Sequence, residues 1–180
     1  MNLILQGVET DRLRFRLVEE TDYERWITFF KDPQTSIHWV EPEETPEIAC
    51  RNWIQKQFYR YENNLGGMNA LIEKQSGELA GYCGLLVQTV DKKEEIEIGY
   101  SLLPQFWNKG YASEAAKACR NYAFENQFAE SLISIISVSN KPSQRVAIKN
   151  GLILRKTTVY KGNEVNIYRI SYPEWTQLKS

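Results

Sequence analysis

The stretch Glu97-Ile98-Gly99-Tyr100-Ser101-Leu102-Leu103-Pro104-Gln105-Phe106-Trp107-Asn108-Lys109-Gly110-Tyr111-Ala112-Ser113-Glu114-Ala115 decides how this chain is read, because a strand pattern runs into a short basic, glycine-containing loop that opens a helix. The first turn of a helix has amides without intrahelical partners. The helix dipole adds partial positive charge there, and a glycine lets the backbone approach an anion. Lys109 and Gly110 stand where such an anion site needs them. The other reading of the junction is a plain connecting turn. A second segment bears on that choice: Asn140-Lys141-Pro142-Ser143-Gln144-Arg145-Val146-Ala147-Ile148-Lys149-Asn150-Gly151-Leu152 follows an apolar strand pattern and begins another short helix that ends at a glycine.

Taken in order, the two segments resemble the GNAT superfamily, the acyl-CoA-dependent N-acyltransferases, and in particular its RimJ/RimL-like branch of ribosomal-protein alanine acetyltransferases. The likeness runs from Arg12-Leu13-Arg14-Phe15-Arg16 to Tyr168-Arg169-Ile170 and is strongest between Glu94 and Leu152. The family's pyrophosphate loop usually reads Gln/Arg-x-x-Gly-x-Gly/Ala, matched here by Trp107, Gly110 and Ala112. Trp107 departs from that pattern, and Asn108 stands where glycine is frequent in the branch. The resemblance implies acetyl-CoA as cosubstrate and no metal. Its binding residues would be Trp107, Asn108, Lys109, Gly110, Tyr111, Ala112 and Ser113 at the loop, amides near Leu102 and Leu103 on the strand, and Asn140 beyond the next strand.

Composition bounds the rest. At 180 residues the chain is expected to form one domain, residues 1–180, with a core of its own. A formal net charge of −1, with charges spread along the chain, argues against a nucleic-acid-coating protein. Cys50, Cys83 and Cys119 lack the paired spacing of a zinc site or disulfide framework and read as reduced packing residues. Leu3-Ile4-Leu5 is too short for a signal-peptide core or a membrane span, so the expectation is a soluble, cytoplasmic protein without a membrane partner, a monomer or homodimer.

Periodicity gives an α+β order. Residues 13–17 alternate as a strand, and Thr21 to Glu24 has the spacing of a capping box for a helix with Tyr23, Trp26, Ile27 and Phe30 on one face. Thr45-Pro46 starts a second helix, which runs to a loop at Asn63-Asn64-Leu65-Gly66-Gly67. Strands are predicted at 69–74, 79–88 and 94–103, with turns at Ser76-Gly77 and Asp91-Lys92-Lys93. A helix over 111–126, a strand over 131–138, a helix over 143–150 and strands over 152–160 and 164–171 follow. The resemblance implies a mixed central sheet flanked by helices, in which the parallel strands 94–103 and 131–138 splay apart to form the acyl-CoA groove. Disruption of the ladder, aided by Gly99 and ended by Pro104, would free amides near Leu102 and Leu103 for a pantetheine arm that bonds like an added strand.

N-acetylation needs a neutral amine, yet a lysine-like amine with pKa about 10.4 is almost wholly protonated at pH 7, so a base is required. In the resemblance Glu97 matches a strand carboxylate that serves as base, directly or through water; as a bare pattern, Glu95 and Glu97 are also the solvated face of an alternating strand. Many relatives protonate the departing thiolate with a helix tyrosine, but Ala147 stands at that position, which leaves Ser143 either as the acid or as a helix cap. The oxyanion would be held by a backbone amide near Leu102. His38, the sole histidine, reads as a loop or packing residue.

Trp39 and Glu41 are expected to border the acceptor, because the segment between the first two helices lines that site in the fold implied. Glu41, Glu43, Glu44 and Glu47 would steer a cationic amine or polypeptide N-terminus, or else only acidify a helix start. Two functions remain open. One is an N-acetyltransferase acting on a protein N-terminus or small-molecule amine; the other is a GNAT-like domain that binds or senses acyl-CoA without turnover.

Overall fold

A computed structural model describes residues 2–40 and 43–178. In chain order the elements are β1 (Leu13–Arg16), α1 (Tyr23–Lys31), α2 (Pro33–Ser36), α3 (Pro46–Glu62), β2 (Gly66–Glu73), β3 (Leu79–Val90), β4 (Lys93–Leu102), α4 (Tyr111–Glu125), β5 (Ser131–Ser137), α5 (Lys141–Lys149), β6 (Ile153–Tyr160), β7 (Asn163–Ser171) and α6 (Tyr172–Gln177). Short 3₁₀ turns cover Glu20–Asp22 and Pro104–Phe106. The strands make one mixed sheet in the order β1-β2-β3-β4-β5-β7-β6, antiparallel at every junction except β4 against β5.

Local chemistry explains the pieces. The β3–β4 hairpin turns on Asp91 and Lys92, both at positive φ (47° and 66°), the two-residue geometry whose twist matches paired strands. Residues 66–73 are buried throughout, so β2 shows no in-and-out alternation of polar and apolar residues. The edge strand β6 is exposed along most of its length and carries Arg155 and Lys156, charges that discourage pairing with another sheet. A parallel β4–β5 pair requires a crossover, which α4 supplies. Ala115, Ala116, Cys119 and Ala123 of α4 are buried, small side chains that let the helix sit close to the sheet. All three cysteines are buried and free.

Four expectations need correction. The capping box before α1 joins Glu19 and Asp22, not Thr21 and Glu24, because Asp22 is drawn back into an ion pair with Arg16 (2.5 Å). Gly66 and Gly67 are not loop: they begin β2, and a Cβ on Gly66 would sit 2.1 Å from the Leu85 carbonyl oxygen, so glycine is needed for strand pairing there. Helix α5 begins at Lys141, capped by the Asn140 side chain, which accepts from the Ser143 amide (3.1 Å). Helix α6 lies outside the expected order, although Ser171 and Glu174 form a capping box with Pro173 in the first turn.

Candidate active site

The site lies where the sheet comes apart. Parallel strands β4 and β5 register at a single pair, Glu97 opposite Ile133, and diverge beyond it. The Ser134 hydroxyl donates to the Ile98 carbonyl (2.9 Å), a side chain standing in for the missing ladder bond. Between the strands opens a cavity of about 730 Å³. Glu97, Leu102, Trp107, Asn108, Gly110, Tyr111, Ala112, Ser113, Asn140, Ser143 and Trp39 all line it, so residues singled out from separate segments share one space.

Leu103 does not share it. Its side chain is buried in the core and its amide donates to the Ala80 carbonyl (3.0 Å), which corrects the expectation of a free donor there. That bond sets the parity of the β3–β4 ladder, since bonded and outward-facing residues alternate in an antiparallel pair with no bulge. The amides of Tyr100 and Leu102 therefore face the gap toward β5. Gly99 lies just past the point where β4 and β5 part and stays paired with Gly84 on β3; a Cβ there would meet Leu86 Cδ1 at 2.9 Å, so the glycine makes room at the cavity floor.

At the other side of the gap the chain turns through Asn108 and Gly110, both in the left-handed region (φ 58° and 84°). Gly110 is the N-cap of α4 and offers no side-chain cap, so the amides of Tyr111, Ala112 and Ser113 enter the cavity wall without an intrahelical acceptor. Trp107 donates its indole N–H to the Leu102 carbonyl (2.8 Å) and latches the loop to the end of β4. Lys109 is not in the lining: its ammonium lies 5.7 Å over the Phe106 ring and its carbonyl accepts from Arg12 (2.9 Å).

Arg12 escapes sequence reading. Its guanidinium pairs with Glu114 (2.7 Å), bonds the Lys109 carbonyl and stacks 4.2 Å over the Tyr111 ring, while Thr10 and the Arg12 amide bond the other Glu114 oxygen. Burial pushes the Glu114 carboxyl up, but the bonds from Thr10 and Arg12 outweigh it and hold it below its ordinary value. The anion in the first turn of α4 is thereby neutralised beside the open amides. No local signal links positions 12 and 114.

Glu97 lies on the cavity floor, half-buried and surrounded by protein. Burial raises its pKa above the ordinary glutamate value, and the opposing pulls of Gln88, Arg60 and the Ile135 amide do not offset this. Gln88 donates to Glu97 (2.7 Å) and accepts from the Tyr160 hydroxyl (3.0 Å), which fixes the amide's orientation. A carboxylate held this way takes a proton more readily than one in water.

Ser143 is the third residue of α5 and not its cap. It lines the cavity, and its carbonyl accepts from Tyr100 (2.8 Å), tying β4 to α5. Ala147 is buried and lies off the lining. Asn140 lines the cavity and spends Oδ1 on its cap.

Trp39 borders the cavity, whereas Glu41 lies outside the described residues. Of the acidic cluster, the described members Glu43, Glu44 and Glu47 do not line the site. Glu43 is exposed, Glu44 accepts from Asn52 (3.1 Å) and Glu47 pairs with Lys31 (3.1 Å). His38 bonds Ser139 (2.9 Å) and Val40 donates to Asn163 (2.7 Å), which anchors residues 38–40 across the cavity mouth to two other elements. Among the described residues no group of three His, Cys, Asp or Glu side chains could hold a metal, and no helix is long and apolar enough to cross a membrane.

This arrangement has counterparts. The sequence profile described as an acetyltransferase (GNAT) domain matches residues 12–153. The chain is similar to the uncharacterized protein YkkB of Bacillus subtilis (34% identical, covering 91% of this chain and 95% of the relative) and to the uncharacterized N-acetyltransferase YoaA of the same organism (28%, 92% and 97%). Its fold superposes on the acetyltransferase from Agrobacterium tumefaciens (TM-score 0.77, 23% identical, 94% and 96% covered). It also superposes on RimL, a ribosomal-protein alpha-N-acetyltransferase in complex with coenzyme A (TM-score 0.73, 18% identical, 92% and 97% covered). With a splayed strand pair, an open helix N-terminus at the gap and a profile match over most of its length, the chain belongs to the GNAT family of acetyltransferases.

Proposed function

We propose that the protein transfers the acetyl group of acetyl-CoA to a primary amine by direct attack in a ternary complex, and that it works as a single domain. The observation that carries this reading is the β4–β5 junction, which pairs once at Glu97 and then opens into one cavity joining a strand carboxylate to the uncapped start of α4. The donor set fits the cosubstrate. The amides of Tyr111, Ala112 and Ser113, with Gly110 removing a Cβ from their approach, suit a diphosphate. The amides of Tyr100 and Leu102 and the Nδ2 of Asn140 suit the carbonyls and amides of a pantetheine arm laid along β4. Trp107 and Asn108 shape the loop; the resemblance also counts Lys109 and Leu103, which face elsewhere.

Glu97 accepts the proton of the incoming ammonium, directly or through water, and its raised pKa brings it nearer the pH at which it works. The Leu102 amide is aimed at the developing oxyanion, and the Ser143 hydroxyl donates to the departing thiolate. The acceptor is a protein N-terminus, as named for the RimL neighbour, or a small-molecule amine. Release of free thiol from acetyl-CoA, measured with and without an amine panel, tests turnover against mere binding. Gly110→Glu should abolish acetyl-CoA binding by calorimetry while the fold survives; unchanged affinity would remove the loop from the site.

A further inference from the structure

The half of the cavity on the Glu97 side is walled mainly by apolar side chains, with Gln34, Thr35, His38 and Gln88 among them. Glu97, Gly99 and Ser101 share one face of the sheet with Leu86, the partner of Glu97 on β3, and with Gln88 two residues further along. Beneath Gly99, Leu86 and Met68 fill the space a Cβ would occupy, at 2.9 Å and 3.4 Å from it. Over this floor stand Phe29 and Phe30 of α1, backed by Trp26, whose ring stacks on Phe29 (4.3 Å) and meets Phe30 edge-on (6.1 Å). Trp39 closes the side, held by the bonds that anchor residues 38–40.

Charge is as telling. Among the described residues that line the cavity, Glu97 is the sole carboxylate, and the two cationic side chains, Arg145 and Lys149, belong to α5 across the gap. A second ammonium, as in a polyamine, would be desolvated among rings without a counter-ion, and an acidic peptide would bring carboxylates to the same apolar wall. Both cost more than the contacts return. A ring or branched alkyl group beside the amine gains from that wall.

Resting on the acetyltransferase reading above, we infer that the acceptor is a small primary amine bearing an aromatic or branched apolar group, seated between Phe29, Phe30, Met68 and Leu86 with its nitrogen at Glu97. A panel of phenethylamine, isoamylamine, spermidine and peptides with N-terminal Ala or Phe, assayed by thiol release from acetyl-CoA, tests it. The two apolar amines should give kcat/KM about tenfold or more above spermidine and both peptides. Phe30→Ala should raise the KM for phenethylamine about tenfold while leaving kcat and the KM for acetyl-CoA near wild type, and Phe30→Leu should restore most of the loss. Preference for spermidine or for either peptide overturns the inference and leaves the transferase reading standing. Failure to acetylate phenethylamine and isoamylamine also overturns it. Calorimetry with acetyl-CoA on the same preparation then shows whether the cosubstrate site, and with it the broader reading, survives.

Discussion

Replacing Glu97 by glutamine should stabilise the protein while disabling it, and the stabilisation should depend on pH. Burial raises the folded-state pKa of Glu97 above its value in the unfolded chain. A carboxyl of that kind contributes stability that is fully present below the unfolded pKa, about 4.3, and is lost as pH rises through the folded pKa. At neutral pH the whole cost of the desolvated charge is present. Each unit of elevation is worth about 1.4 kcal/mol, which for a chain of this size corresponds to about 3–6 °C in Tm. In the Glu97→Gln protein the new carbonyl oxygen still accepts the hydrogen bond from Gln88 and the new amide turns toward the cavity, so little is lost in exchange. Thermal unfolding of both proteins from about pH 3.5 to 8, a range that brackets the unfolded pKa, should show curves that coincide at the acid end and separate as pH rises. Over the same range the loss of kcat should grow as pH rises through the folded pKa of Glu97, because below it the wild-type carboxyl is already protonated and cannot serve as base. A variant no more stable than wild type at neutral pH, or a gap that does not change with pH, would refute the reasoning.

Three further perturbations separate other parts of the site. Arg12→Ala should weaken acetyl-CoA binding about fivefold, on the order of 1 kcal/mol, by leaving the Glu114 charge unneutralised beside the phosphate amides; Arg12→Ala with Glu114→Gln should recover most of it in calorimetry. Ser143→Ala should lower kcat by about tenfold at most, because a thiol with pKa about 8.5 leaves with little proton assistance, and should leave the acetyl-CoA KM unchanged in steady-state assays. Gly84→Ala places a Cβ 2.0 Å from the Gly67 carbonyl oxygen and 2.9 Å from Met68 Cα. Neither backbone atom can yield, so a loss of about 3 kcal/mol is expected, read as a fall of about 6–12 °C in Tm.

How far the sequence carries the structure depends on range. Gly110 and Ala112 at the start of α4 are a local pattern, and local patterns are legible: the turn into α4, the hairpin at Asp91 and Lys92 and the α4 crossover stand where periodicity and turn chemistry put them. The capping box of α6 is the same kind of local signal, although the expected order stops short of it. What one sequence does not carry is which distant groups meet. The Arg12–Glu114 brace, the parity that turns the Leu103 amide inward and the Tyr160–Gln88–Glu97 chain arise only when strands take up a register. The glutamates near position 45 show the same limit: their density alone fits either steering or an acidified helix start, and only the fold shows Glu44 and Glu47 engaged by Asn52 and Lys31 at the entrance of α3.

The lone parallel pairing of Glu97 with Ile133 has a mechanical consequence. Strands β1–β4 form one antiparallel ribbon and β5, β7 and β6 another, and the seam between them is zipped at one tooth. A guest backbone lying in the seam completes the row of donors at Tyr100 and Leu102, so ligand and protein together make a sheet that neither makes alone. Those two amides should be open to deuterium exchange when the seam is empty, and should slow on addition of acetyl-CoA before any acceptor is present. On the proposed function the cosubstrate would lie as an eighth strand in a seven-stranded sheet.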